Sequence, residues 1–413
     1  MHILYLHQYF VPPEGSGGTR SYEMARRFVK FGHTVTMITS SAFFPKQTAF
    51  SQKTIEMDIE GISLWIINVP YSNNLSFTKR MYAFFLFALK SSLAVLKAKH
   101  VDVVFATSTP LTIAIPGVAA KLKHKCPMVF EVRDLWPELP VAVGALRNPI
   151  SKWLAYRLEK WAYKNSDHII ALSPGMKNGI IRTGYHAEKV TVVPNSCDRA
   201  LFGVPASAGD SFLKEHPYLE GLPLVTYAGT LGMINGVGYL VDIAAKMLHI
   251  DSSVRFLIVG AGMQASSIYT HARSSGVLEK NLWIIPPVAK QDMPRLLSAT
   301  TVAVSLVIDL PALWNNSANK FFDALAAGRP VAINHEGWQA DILRSSGAGI
   351  VLPPCDAERA AQALNSFLKD NGRLERAQDA STRLAETQFS RDRLAEQLCR
   401  TLEKVVDDKI CKV

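Results

Sequence analysis

Short runs of branched and aromatic residues recur along this 413-residue chain, each followed by a loop and a stretch patterned for a helix. In the first half the runs fall at 3–6, 35–38, 64–67, 103–106, 128–132, 168–172 and 190–193. In the second half they fall at 224–227, 255–259, 282–285, 302–307, 331–333 and 349–352. Strands separated by helices lie parallel, and a parallel sheet needs helices on both faces. The expected fold is therefore α/β and doubly wound. The interval 196–222 breaks the rhythm and contains Gly203, Pro205, Gly209 and Pro217, which reads as a linker. Two domains in tandem follow, each long enough to bury its own core. Their limits are placed at 1–200 and 201–388, with 389–413 as a terminal helix. That helix carries Leu394, Leu398, Leu402 and Val405 on one face. Pattern alone lets it brace a domain or pair with a second copy.

Open parallel sheets bind ligands outside the carboxyl ends of their strands, so the loops after the runs are where chemistry is sought. Gly15-Ser16-Gly17-Gly18 follows the first run and precedes a helix, where close-approaching backbone and free N–H groups can cradle an anion. It lacks the G-x-G-x-x-G spacing of a dinucleotide site, and a plain structural turn fits equally. Glu131-Val132-Arg133-Asp134-Leu135-Trp136-Pro137-Glu138 gathers four charges around a Trp-Pro corner. It is either a ligand-contacting edge or a salt-bridged loop anchored by Trp136. Gly229-Thr230-Leu231-Gly232 follows the first run of the second half and precedes a helix, and Gly260-Ala261-Gly262 follows the next run, where its spacing fits a tight strand-to-helix turn.

The stretch 315–330, NNSANKFFDALAAGRP, is a polar loop that starts a helix. Ser317 is the expected N-cap, Phe321, Phe322, Leu325 and Ala326 the buried stripe, and Gly328 with Pro330 the stop. A helix N-terminus attracts phosphate, Lys320 adds a point charge, and Asp323 can accept hydrogen bonds from sugar hydroxyls. An ordinary surface ion pair on an amphipathic helix would give the same pattern.

Charge is unevenly placed. Residues 1–200 hold 24 Lys/Arg against 13 Asp/Glu, a surplus of 11, while the remainder holds 21 against 22. A basic first half points to an anionic membrane surface or a phosphorylated substrate; nucleic acid is disfavoured because no binding motif accompanies the charge. Within 79–100, Met81, Phe84, Phe85, Phe87, Leu89 and Leu93 form a strongly apolar helix flanked by Lys79, Arg80, Lys97 and Lys99. Its uninterrupted apolar run is too short to span a bilayer, leaving a buried core helix or a peripheral membrane contact. Five scattered cysteines without metal-ligand spacing suit a reducing cytoplasm, and the strand-like start predicts no signal peptide. His7, His33 and His335 are lone residues, expected to be satisfied structurally.

The stretch 315–330 resembles the nucleotide-sugar motif of family 4 glycosyltransferases, in which an acidic residue precedes a second acid followed by Ala-hydrophobic-Ala-small-Gly-x-Pro. The second acid is Asp323, and the first falls on Asn315, a departure. Arg133-Asp134-Leu135-Trp136-Pro137-Glu138 is similar to members of the WbuB-like branch that build bacterial O-antigens and capsules. The resemblance implies a GT-B fold, two Rossmann-like domains facing a cleft, with the final helix crossing back to the first. It implies a retaining, metal-independent transferase that needs no cofactor and takes a nucleotide sugar as substrate, preferably a UDP-linked N-acetylated hexosamine or deoxyhexosamine. The acceptor would be a lipid-diphosphate-linked saccharide, with the enzyme cytoplasmic and held peripherally at the inner membrane. Arg133, Asp134, Lys320 and Asn315 would carry the chemistry. Gly17, Gly18, Gly229, Thr230, Gly260, Asn319 and Asp323 would hold the donor. Family members place an Arg and a Lys where this chain has Thr230 and Asn235; backbone amides of 229–232, Lys320 and Arg133 could partly replace them. A nucleotide-sugar epimerase of the same architecture, or a non-catalytic nucleotide-sugar-binding protein, are the alternatives.

Overall fold

Strand β1 (His2–Leu6) is almost wholly buried and sits between β2 (Thr34–Ser40) and β5 (Val103–Thr107), parallel to both. This arrangement comes from a computed structural model that describes residues 1–413 except 14, 16–18, 45–53, 72–74 and 412–413. The full order is β3-β4-β2-β1-β5-β6-β7-β8, with β3 (Thr54–Ile59), β4 (Ile62–Ile67), β6 (Met128–Val132), β7 (His168–Ala171) and β8 (Val190–Val192). All pairings are parallel except β3 with β4. The strand pattern does not announce β3, because Glu56, Met57 and Asp58 are exposed on this edge strand and blur its alternation. Helices α1 (Arg20–Lys30), α2 (Phe77–Val95), α3 (Ala114–His124), α4 (Glu138–Ala142), α5 (Pro149–Asn165) and α6 (Pro174–Arg182) complete the run to Pro194. Phe87, Val118, Tyr163 and Ile180 of α2, α3, α5 and α6 share one core against the sheet. Met24 and Phe28 of α1 lie in the core on the other face.

The second sheet has the order β11-β10-β9-β12-β13-β14, all parallel. Its strands are β9 (Leu224–Ala228), β10 (Arg255–Val259), β11 (Leu282–Ile285), β12 (Val302–Ser305), β13 (Val331–Ile333) and β14 (Gly349–Val351). The interval read as a linker instead carries α7 (Arg199–Phe202) and α8 (Ser207–Glu215). Neither is long enough to show a clear period, and each is held by one buried aromatic, Phe202 or Phe212. Helices α9 (Gly238–Ile250), α10 (Ala265–Ser274), α11 (Met293–Ala299), α12 (Asn319–Ala326), α13 (Trp338–Ser346), α14 (Ala357–Lys369) and α15 (Asn371–Glu386) cover the two faces.

The chain divides into Met1–Pro194 with Asp392–Val413, and Asn195–Arg391. Helix α16 (Arg391–Ile410) returns to the first unit because Leu394, Leu398 and Leu402 bury themselves beside Met24 and Phe28. Each such side chain contributes about 1.5–3 kcal/mol relative to exposure. His33 meets Cys399 and Glu403 of α16 at 3.0 and 3.2 Å, a further tie within this unit. In the second unit, the Cys197 N–H donates to the Phe389 carbonyl and the Arg391 N–H to the Cys197 carbonyl. These bonds, with Arg391 on Asp198 at 2.8 Å, fasten the two ends of that unit to each other.

Strand order reverses between β1 and β5 in the first sheet and between β9 and β12 in the second. Loops diverge at these switch points and leave a crevice at the carboxyl ends. Gly229, Thr230, Asn315 and Lys320 follow β9 and β12, while Gly260 follows β10 and Arg133 and Asp134 follow β6, one strand beyond each switch point.

Candidate functional site

In the second unit the loops after β9 and β10 are zipped together. The Gly229 N–H donates to Val259 O at 2.9 Å, Leu231 N–H to Ala261 O at 2.9 Å, and Gln264 N–H to Leu231 O at 2.9 Å. A Cβ on Gly260 would lie 1.9 Å from Gly229 O, and one on Gly262 would lie 2.4 Å from Leu231 O. Only glycine permits this contact. The zipper also corrects an expectation: Gly229 and Leu231 spend their N–H groups on it, so 229–232 does not present a row of four amides to an anion.

Helix α12 follows the switch-point loop. Ser317 does not cap it; its hydroxyl accepts the Asn195 N–H at 3.0 Å, and Ala318 occupies the cap position. The loop is thereby held by a residue 122 positions away, which no local pattern encodes. At the other end Gly328 is left-handed (φ 66°), with Gly328 N–H on Leu325 O and Arg329 N–H on Ala324 O. That is a Schellman termination, as Gly328 and Pro330 predict. Phe321 and Phe322 are fully buried, leaving Asn319 exposed and Lys320 at the helix start.

Lys320 reaches across to the first loop. Its Nζ stands 5.1 Å over the Tyr227 ring and donates to Asn235 Oδ1 at 3.3 Å. Asn235 Nδ2 and the Tyr227 hydroxyl both donate to the Thr230 carbonyl, at 2.9 and 2.8 Å. Gly229 lies beside the lysine stem, 3.1 Å from a would-be Cβ to Cε. Thr230 and Asn235, the two positions lacking the expected cations, therefore form the cradle that aims Lys320. Burial lowers the Lys320 ammonium to about 8, partly countered by Asp323. Burial likewise raises the Asp323 carboxyl to about 6, with Arg391, Lys290 and Lys320 pulling it down and Asp198 pushing it up. Asn315 is half-buried in the loop before α12, where the Trp314 carbonyl lies 2.8 Å from a would-be Cβ of Gly337. The structure thus gathers Gly229, Thr230, Gly260, Lys320 and Asp323 at one sheet edge, with Asn315 and Asn319 on the segment that leads into α12.

In the first unit Glu131 is not a ligand contact. Arg20 clamps it through Nε and NH2 at 3.0 and 2.8 Å, Thr107 donates to it at 3.2 Å, and Arg20 also donates to the carbonyls of Val193 and Pro194. Glu138 turns outward to Arg182 at 3.3 Å. Arg133 and Asp134 remain at the edge. Arg133 NH1 donates to His7 Nε2 at 3.3 Å, and His7 Nδ1 lies 2.8 Å from Ser21 Oγ. Burial and the neighbouring guanidinium hold the His7 pKa well below its usual value, so the ring is neutral and orients Arg133. Asp134 accepts from Thr109 at 3.1 Å, and burial raises its carboxyl despite Arg133. Sequence reading passes over His7 as a lone residue; its arginine partner lies 126 positions on. Gly17 and Gly18 lie outside the described residues.

Two largely parallel sheets, one with charged residues and the other with a lysine and glycine-edged loops at its carboxyl end, define a doubly wound α/β protein of two units. Residues 15–196 match the glycosyl transferase 4-like domain and residues 222–370 match the glycosyl transferases group 1 domain. The chain is a glycosyltransferase of GT-B type. Alpha-maltose-1-phosphate synthase of Mycolicibacterium smegmatis is 25% identical over 309 residues, 70% of this chain and 76% of that protein. The putative colanic acid biosynthesis glycosyl transferase WcaI of Escherichia coli K12 is 23% identical over 69% of this chain and 72% of its own. Spore coat protein SA of Bacillus subtilis is matched over only half its length. Among solved structures, Anabaena HepE in complex with UDP and glucose superposes with a TM-score of 0.74 at 16% identity, covering 98% of this chain and 100% of that one.

Proposed function

We propose that this chain is a retaining, metal-independent glycosyltransferase that takes a UDP-linked sugar, an N-acetylated hexosamine or deoxyhexosamine, as donor. Its acceptor is a lipid-diphosphate-linked saccharide in bacterial surface polysaccharide synthesis, met at the cytoplasmic face of the inner membrane. The observation that carries the donor half is the start of α12: an ammonium aimed by Asn235 over Tyr227, one turn from Asp323, beside two interlocked glycine loops. Lys320 and the free end of α12 would take the departing diphosphate, and Asp323 the ribose hydroxyls. Arg133, set by His7, and Asp134 would contact the donor sugar or acceptor. The substrates are supported by similar proteins: HepE was solved with UDP-glucose, WcaI is a putative colanic acid biosynthesis glycosyl transferase, and WaaG is a glycosyltransferase involved in lipopolysaccharide biosynthesis.

Saturation-transfer NMR against UDP, GDP, CDP and dTDP, then their sugars, tests the reading. Selective binding of UDP is expected, and Asp323→Ala should weaken it at least several-fold with the fold intact. Binding of no nucleotide by a well-folded protein would overturn the donor site; unchanged affinity in Asp323→Ala would remove the ribose role. A second reading, nucleotide-sugar binding without turnover, is favoured by Thr230 and Asn235 standing where two cations are expected. Donor binding with no transfer to any lipid-linked acceptor would select it.

A further inference from the structure

Helices α2, α3 and α5 lie side by side over one face of the first sheet, with α3 between the other two. Their inner faces fill that core, so their outer faces point away from it together. Those outer faces are unusually apolar. On α2, Phe85, Leu89 and Leu93 continue one stripe at helical spacing and stay 56–62% exposed. Leu122 of α3 is 71% exposed, and Trp153 and Leu154 of α5 are 58% and 54% exposed. The charges on these helices are of one sign: three Lys/Arg on α2, two on α3 and four on α5, against the single acid Glu159, which is buried. Arg157 stacks over the Trp153 ring at 5.2 Å. Among the described residues no helix is long and apolar enough to cross a membrane.

Scattered exposed apolar residues need no explanation, but an apolar stretch of surface on helices that carry no exposed acid does, even with Lys121 paired to Asp167 just beyond α5. A protein partner would need acidic groups that match a dispersed array of lysines. An anionic bilayer supplies that charge at every point, while accepting leucines and tryptophans just beneath its headgroups. We propose that the outer faces of α2, α3 and α5 together form the surface by which this protein lies on an anionic lipid bilayer. The α5 tryptophan ridge is a second wedge beside α2, sinking Trp153 and Leu154 below the phosphates while Arg157 and the flanking lysines engage them. This rests on the proposed lipid-linked acceptor, since such an acceptor is confined to that surface.

The test is flotation of the full chain with vesicles of phosphatidylcholine alone or mixed with phosphatidylglycerol. Each sample is also measured for UDP binding and for mass by light scattering. Binding only to the phosphatidylglycerol vesicles is expected. Trp153→Ser with Leu154→Ser, and separately Leu89→Ser with Leu93→Ser, should each lower the partition coefficient at least about tenfold while UDP binding and melting temperature hold. Trp153 fluorescence, isolated by subtracting a Trp153→Phe variant, should shift blue on binding and be quenched by brominated acyl chains. No lipid-dependent flotation, or flotation indifferent to the α5 pair, overturns the proposal while leaving the transferase reading untouched if UDP still binds. A dimer in solution dissolved by the same substitutions would instead make this face an interface between copies and overturn it as well. Flotation without nucleotide binding would count against the transferase reading alone.

Discussion

Arg20 with Glu131 in the first unit are a cation and an anion buried together, and Lys320 with Asp323 in the second are a half-buried cation and anion one turn apart. Arg20 spends its guanidinium on Glu131 and two carbonyls, and Thr107 takes the other carboxylate oxygen. That pair is saturated. Lys320 and Asp323 form no ion pair among the described residues, and burial pushes the ammonium down to about 8 and the carboxyl up to about 6. The first pair is closed to ligands and joins α1 to the sheet. The second has few compensating bonds, Lys320 reaching Asn235, and desolvated groups of that kind are common at ligand sites. The two pairs differ most in their bonding inventory.

The difference can be broken most severely on the saturated side. Glu131→Ala leaves Arg20 buried without its counter-charge, and a loss of about 3–5 kcal/mol is expected. Urea denaturation would show it as a large fall in the midpoint, and any folded fraction should keep its affinity for UDP. A loss under 1 kcal/mol would mean that the pair is not what fastens α1.

Lys320→Ala should behave in the opposite way. It removes a charge that the fold itself desolvates, so stability should change little or rise slightly. UDP affinity should fall about tenfold to hundredfold, as for a charged hydrogen bond of about 1.5–3 kcal/mol. Calorimetric titration beside a melting curve separates the two effects. A variant that melts early yet binds normally would make Lys320 a structural residue resting on Tyr227.

How far this was legible before the structure depends on where each residue's partners lie. Strands such as Met128–Val132 and Arg255–Val259 are readable because burial on both faces leaves an unbroken apolar run. Gly328 and Pro330 end their helix where local rules say they should. Asp323 and Lys320 stand out by their place in the motif at 315–330. What is hidden depends on distant chain: the Ser317 hydroxyl accepts from the Asn195 N–H, His7 holds Arg133, and Asn235 orients Lys320 from 85 positions away. The replacement of two cations looked like a loss at Thr230 and Asn235. In the fold, both positions hold the one cation that α12 brings there.

The smallest effect is also the one that reports on both members of the second pair at once. A diphosphate prefers Lys320 protonated, so donor affinity should be full below about 8 and fall as pH rises through that value. Ribose hydroxyls prefer Asp323 ionised, so affinity should be full above about 6 and fall as pH drops through it. A UDP-sugar is the right probe, because its diphosphate diester keeps its charge across the range. The expected profile is a plateau between the two limbs, with a few-fold loss on each side. Lys320→Arg should abolish the alkaline limb, since a guanidinium does not titrate there, and Asp323→Asn should abolish the acid limb. Arg20 and Glu131 offer the control: with their bonds already complete, Arg20→Lys should leave both limbs where they are. A flat profile in the unaltered protein would mean that neither Lys320 nor Asp323 meets the donor through its charge.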